Sequence, residues 1–254
     1  MKKVLYLTII VVLIFSSCVS RKKTMYLQET IQDSVQTYTN TDSLYRIKPG
    51  DILYIKILSM NKEISDAFNL NSDNTSAYAW NNEASLYING FSVNDSGFVD
   101  LPILGKIKVE HKTVNQTQEA VQQKLNEYLK DGIAVVKLIS YRFSVLGEVH
   151  RPGIYTNYSD KLNIFEALAK AGDINEFGDR RSVILIRPTP KGNITYKFDL
   201  TQNDILSSQY FYLKPNDVLY VYPLKYKAWR FNTVNVSLFL SSITTLILVL
   251  NFMK

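Results

Sequence analysis

Apolar and polar positions alternate in short runs along most of this chain, and an uncharged apolar segment lies near each end. Ile52-Leu53-Tyr54-Ile55-Lys56-Ile57-Leu58 follows the turn signal Lys48-Pro49-Gly50-Asp51 and predicts a strand. Residues 59–84, with many Asn, Ser and Asp, predict a long loop or insertion. Strand character resumes over Leu86–Val93. Asn94-Asp95-Ser96-Gly97 is a turn, and residues 98–109 give short strands broken at Pro102 and Gly105. Thr113 with Gln116 fits a capping box for a helix over 113–129. Val114, Val121, Leu125 and Tyr128 fall on one face of that helix. Asp131-Gly132 stops it, and Ile133–Ser140 reads as a strand.

Residues 141–223 repeat this mixture as a second unit. Phe143–Val149 predicts a strand and Arg151-Pro152-Gly153 a turn. A helix starts at Asn163, with Glu166 at the capping-box position. It packs Ile164, Phe165, Leu168 and Ala169 and ends at Ala171-Gly172. Residues 183–186 and 195–198 predict strands around a turn at 188–193. One internal echo ties the two units: IKPGDILYI at 47–55 recurs as LKPNDVLYV at 213–221. The proline fixes the turn, Gly50 or Asn216 can take a positive φ, and the aspartate can satisfy turn amides. Asp51 and Asp217 are therefore expected to be structural, not a catalytic carboxylate pair.

The ends have a different character. MKKVLYLTIIVVLIFSSC carries Lys2 and Lys3, an apolar run Val4–Phe15 of 12 residues, and small residues before Cys18. That run is shorter than the roughly 20 residues a spanning helix needs, and fits a secretory signal ending at a cleavage site. Cys18 is the only cysteine in the chain, so it cannot form an internal disulfide. It is the expected lipidation site, with residues 1–17 as a lipoprotein signal peptide. Arg21-Lys22-Lys23 fits either a contact with anionic lipid headgroups or a solvated stretch. Residues 18–44 are expected to be a lipid-anchored tether.

At the other end, Thr233–Met253 has 21 residues without charge. As a helix it would reach about 31 Å, the thickness of a bilayer core, so a transmembrane helix is expected over 233–253 after a linker at 224–232. Val236, Phe239, Leu240, Ile243, Leu246, Ile247 and Leu250 form one apolar arc. Asn235, Ser237, Ser241, Ser242, Thr244 and Thr245 lie opposite, mixed with Leu238, Leu248 and Val249. Their hydroxyls can bond back to helix carbonyls, and packing against copies of the helix or lining water satisfies them further. They are the expected pore-facing residues. Lys225, Lys227, Trp229 and Arg230 suit a membrane interface.

Composition narrows function more than fold. The formal charge is +6 on 254 residues. Losing the signal with its two lysines leaves about +4 on 237 residues, too mild to point to nucleic acid. The two histidines, His111 and His150, have no second ligand near either in sequence. No metal cluster, phosphate loop or activated nucleophile is legible, so no cofactor and no enzyme activity are expected. Arg180, Arg181, Arg187 and Lys191 fit either a solvated surface or contacts with an acidic glycan.

YRIKPGDILYIKI, GFVDLPILGKIKV and the helix at 113–129 resemble the polysaccharide biosynthesis/export domain. FSVLGEVHRPGIYT, LNIFEALAKAGDINEFGDRRSVILIRP and YLKPNDVLYVYP resemble a soluble-ligand-binding β-grasp (SLBB) domain. With the lipobox and the terminal apolar segment, the order resembles the outer-membrane polysaccharide export (OPX) lipoproteins of Gram-negative bacteria. One β-grasp repeat is visible where some members carry more. The resemblance implies an α+β architecture: an export domain at 45–140, a β-grasp-like SLBB domain at 141–223 and a C-terminal transmembrane helix. It implies a homo-oligomeric ring in the outer membrane, lipid-anchored, with soluble domains in the periplasm. Its function would be passive export of capsular or extracellular polysaccharide together with an inner-membrane polysaccharide co-polymerase or transport component. A periplasmic glycan-binding lipoprotein without a pore is the alternative, and an enzyme acting on cell-wall glycan is a more distant one.

Overall fold

The computed structural model describes residues 25–28, 37–40, 44–69, 89–225, 227 and 236–253, and they form two successive α+β units and a terminal helix. The first unit runs through β1 (Ile52–Leu58), α1 (Lys62–Phe68), β2 (Phe91–Ser92), β3 (Phe98–Leu101), β4 (Gly105–Lys108), α2 (Val114–Asn126) and β5 (Ile133–Leu138). β1 sits between β2 and β5 in an antiparallel sheet, and β3 and β4 form a separate hairpin. The strand period of two decides the faces. Leu53, Ile55 and Ile57 are buried, while Lys56 and Leu58 are exposed.

α2 begins at the expected capping box: the Gln116 amide donates to Thr113 Oγ1 at 3.2 Å, and the Thr113 amide donates to Gln116 Oε1 at 3.0 Å. Val121 and Leu125 are fully buried against the sheet. Tyr128, expected on the same face, lies beyond the helix end and is exposed, and Leu129 takes the buried place. Two glutamines on α2 do a second job. Gln122 Oε1 accepts from the Ala134 amide at 2.8 Å and Gln118 Oε1 from the Val136 amide at 3.3 Å. These amides lie on the outer edge of β5, where an unpaired row would invite another strand. Part of the expected loop at 59–84 is helical instead. Asn61 caps α1, its Oδ1 accepting from the Glu63 amide at 3.0 Å, a signal that the polar composition obscured. Residues 70–88 lie outside the described residues.

The second unit contains β6 (Arg142–Gly147), β7 (Gly153–Thr156), α3 (Ile164–Lys170), β8 (Gly178–Thr189), β9 (Gly192–Phe198), a 3-10 turn at Asn203–Ser207 and β10 (Val218–Pro223). The sheet order is β7-β6-β10-β8-β9; β10 runs parallel to β6 and all other pairs are antiparallel. β8 and β9 are longer than the sequence pattern predicts. β9 is exposed along residues 192–197, so it lacks the alternation that marks a half-buried strand. α3 has the expected capping box between Asn163 and Glu166. It buries Ile164, Ala167 and Leu168; Ala169 is exposed, a one-residue error in the assigned helix face. Gly147 ends β6 at φ +87°, and a Cβ there would sit 2.1 Å from the Val221 carbonyl oxygen. Only glycine lets the parallel strands approach this closely.

The terminal helix, α4, spans Val236–Phe252, 17 residues. The start of the expected span, 233–235, lies outside the described residues. Among the described residues no helix is long and apolar enough to cross a membrane, so they do not show the transmembrane helix expected over 233–253. At 1.5 Å per residue, α4 is about 25 Å long.

Candidate functional site

The two echoed turns face the seam between the units. In the first, Gly50 has φ +86°, and Asp51 Oδ2 accepts from the Lys48 amide at 2.9 Å. In the second, Asn216 has φ +67°, and Asp217 Oδ2 accepts from the Lys214 amide at 2.6 Å. Each aspartate closes its own turn, as a structural role requires. What surrounds the carboxylates differs. The Tyr45 hydroxyl donates to Asp51 at 2.8 Å and the Ser140 hydroxyl at 3.4 Å. Arg187 grips Asp217 through Nε at 2.9 Å and Nη2 at 2.7 Å. Burial pushes both aspartate carboxyls up, against the hydrogen bonds that favour the charged form. It also pushes the Tyr45 and Tyr141 hydroxyls up.

Both turns hold the short connection between the units. Ser140 Oγ accepts from the Ile52 amide at 3.1 Å, and the Asn216 amide donates to the Arg142 carbonyl at 2.7 Å. Inside the connection, the Tyr141 hydroxyl donates to the Leu213 carbonyl at 2.6 Å. Two clefts flank this connection. One, of about 590 Å³, lies between the turns and is lined by Lys48, Pro49, Arg142, Pro188 and Pro215 among others. The other, of about 510 Å³, is lined by Tyr45, Tyr54, Tyr141 and Tyr158, with Asn115, Lys137 and Asp160.

The segment expected to be a plain tether is docked on the second unit. The Leu27 amide donates to the Leu200 carbonyl at 3.2 Å and the Gln28 amide to the Thr201 carbonyl at 2.7 Å. The Tyr26 hydroxyl donates to Asp173, and its ring meets Phe165 edge-on with centroids 5.6 Å apart. The Arg180 guanidinium lies 4.9 Å from the Tyr26 ring centroid. Further along, Asn203 Nδ2 donates to the Tyr38 hydroxyl and Asn40 Nδ2 to the Leu206 carbonyl. An isolated tyrosine in a polar stretch gave no sign of this.

The basic residues singled out from sequence divide into two kinds. Arg180 and Arg187 are buried, the first against Tyr26 and the Ile174 carbonyl, the second on Asp217 and the Tyr212 carbonyl. Neither is a solvated residue or a glycan contact. A signal existed for Arg187, which continues the inward positions Val183 and Leu185 at the strand period. Arg181 is exposed and pairs with Asp179 at 3.2 Å, and Lys191 is exposed in the β8–β9 turn. His150 Nδ1 lies 3.2 Å from the Asp173 carbonyl, and His111 Nε2 lies 3.8 Å from Glu110. Among the described residues no three His, Cys, Asp or Glu side chains are grouped to hold a metal.

Cys18 and Asn235 lie outside the described residues, and of Ser237 only its place in α4 is described. Ser241, Ser242, Thr244 and Thr245 are exposed on α4. Thr244 Oγ1 donates to the Ser241 carbonyl at 2.9 Å, and Thr245 Oγ1 to the same carbonyl at 2.8 Å. Such back-bonding lets a hydroxyl sit on a helix beside apolar neighbours.

Comparison with known proteins matches both units. A family model described as polysaccharide biosynthesis/export protein matches residues 39–138. A model described as SLBB domain matches residues 141–221. The EPS I polysaccharide export outer membrane protein EpsA of Ralstonia nicotianae is 30% identical over 147 residues, covering 56% of this chain and 38% of the relative. The protein of the same name from Ralstonia solanacearum is 30% identical over 137 residues, covering 52% of this chain and 35% of the relative. These matches span less than two-fifths of the relatives' length.

Proposed function

This chain belongs to the outer-membrane polysaccharide export family, and on that premise we propose that it is a passive conduit component for an extracellular or capsular polysaccharide. Export proteins of this family are non-enzymatic transport components, and this chain is not an enzyme. The observation that carries the proposal is the order of two matched domains on two successive folded units. Relatives named as outer-membrane proteins support work at the outer membrane, and in this proposal both units lie in the periplasm.

Cys18 carries the lipid in this proposal. Six residues lie between it and Met25, at the start of the docked segment, a reach of at most about 25 Å. The terminal helix also follows the second unit, so both membrane connections leave from it. The export domain then faces the inner-membrane partner that drives the polymer. The terminal segment 233–253 acts collectively in this proposal: several copies turn Asn235, Ser237, Ser241, Ser242, Thr244 and Thr245 inward and Phe239, Ile243, Ile247 and Leu250 toward lipid. The roughly 25 Å length of one helix equals the apolar band of outer-membrane barrels, about 25 Å. A ring of helices covers hydroxyls that a lone helix leaves to lipid.

Deleting residues 236–252 in the producing cell tests this. Surface polymer should disappear while the remaining protein stays folded. Undiminished export would refute the conduit. A glycan-binding lipoprotein without a pore is the second reading. Single cysteines along α4 separate the two. A water-soluble thiol reagent should label positions 237, 241, 244 and 245 in preference to 239, 243, 247 and 250.

A further inference from the structure

We propose that the tyrosine-lined cleft beside the seam binds neutral pyranose units of the polymer; this rests on the export reading above. Its volume, about 510 Å³, falls in the range of small-ligand sites. Both units contribute: Tyr54 from β1 and Lys137 from β5 on one side, Tyr141 and Tyr158 on the other. Tyr141 and Tyr45 have their hydroxyls committed, to the Leu213 carbonyl and to Asp51, and so offer the cleft chiefly ring surface. Tyr158 is 76% exposed, yet its loop is pinned. Asn157 beside it is buried, its amide donating to the Tyr141 carbonyl at 2.8 Å and its side chain to the Ser159 carbonyl at 2.5 Å. An aromatic ring held out from a fixed loop adds contact area with little ordering left to do on binding.

Sugar rings present apolar C–H faces edged with hydroxyls. They suit a wall of aromatic faces with a few polar groups among them. Lys137 and Asp160 put one cation and one carboxylate on the lining, so it has no excess of either charge to select an anion. The clefts differ in this respect, since the one between the turns is lined by two cations, Lys48 and Arg142, against the single carboxylate of Asp51. A hydroxyl-rich, uncharged stretch of polymer fits the tyrosine cleft.

The test uses the full-length protein in detergent and short oligosaccharides released by partial hydrolysis from the producing cell's own surface polymer. Calorimetry should show binding, and Tyr158→Ala and Tyr54→Ala should each weaken it about tenfold. Tyr158→Phe should retain it, because the ring face makes the contact. Tyr222→Ala, an exposed tyrosine on β10 outside the cleft lining, should leave it unchanged. Each variant's thermal midpoint guards against misfolding. Absence of binding by the wild-type protein, or wild-type affinity in Tyr158→Ala, overturns the site. A change in oligomer size without a change in saccharide affinity also overturns it, assigning the surface to contacts between copies. Export is scored separately in cells lacking the chain. If those cells lose surface polymer while Tyr158→Ala binds normally, the cleft fails and the conduit stands. If they export normally, the conduit fails.

Discussion

Arg187 holds Asp217 at two points, Nε on Oδ1 at 2.9 Å and Nη2 on Oδ2 at 2.7 Å, while the equivalent Asp51 is met by the Tyr45 hydroxyl. One turn sequence is therefore stabilised in two ways, and the two aspartates should respond differently to the same change. Asp217→Asn leaves the buried guanidinium without its counter-ion and should cost about 3–5 kcal/mol. Asp51→Asn keeps an oxygen to accept the Lys48 amide and an amide facing a hydroxyl that can accept, so it should cost about 1 kcal/mol. Urea unfolding of the soluble portion measures both. Equal losses would show that the ion pair is not what holds the second turn.

The pH dependence has a definite sign. Burial raises the Asp51 carboxyl above its usual range, so the fold favours the protonated form. Its contribution is fully present below the unfolded value, about 3.9, and is lost as pH rises through the folded one. Asp51→Asn removes this contribution. Relative to Asp51→Asn, the wild-type protein should therefore lose stability as pH is raised from about 4 towards neutrality. A gap that stays constant with pH would contradict the raised carboxyl.

Tyr26 should matter to the second unit although it lies far from it in sequence. It covers the buried Arg180 guanidinium and packs edge-on against Phe165. Tyr26→Ala should lower stability by about 2 kcal/mol, the order of a desolvated cation–ring contact. A fragment of residues 45–223 should accordingly be folded but less stable than one of residues 25–223. Identical thermal midpoints for the two fragments would mean that the docked segment contributes nothing.

Much of this fold was legible because local chemistry and tertiary structure agree. The capping boxes Thr113–Gln116 and Asn163–Glu166 and the echoed turns with Gly50 and Asn216 at positive φ all follow from side chains within a few residues of one another. The misses come from longer-range contacts. Nothing local shows that Tyr26 seats on Asp173, 147 positions away, or that Tyr54 and Tyr158 line one cleft. The pattern predicts too short a β9 because residues 192–197 are exposed on both faces of the strand and carry no alternation. Charge alone puts Arg180 and Arg187 at the surface, whereas the strand period through Val183 and Leu185 places Arg187 inward.

Cys18 should carry the acyl chains that fix the protein to the membrane. It follows a short apolar run and small residues, and the chain has no other thiol to pair with it. Stable anchoring needs more than a single acyl chain, so the mature protein should show the mass of a multiply acylated N-terminal cysteine. Cys18→Ala should accumulate as unacylated precursor. A wild-type mass without lipid would remove the anchor from this account.

The conduit itself is tested most directly by the shape of the assembled particle. The full-length protein is extracted from the producing cell in mild detergent and imaged by electron microscopy. The account predicts a closed ring of identical copies with a central opening, narrowing at the end formed by α4. Particles of a single copy, or clusters without an opening, would contradict it and leave a glycan-binding lipoprotein in its place.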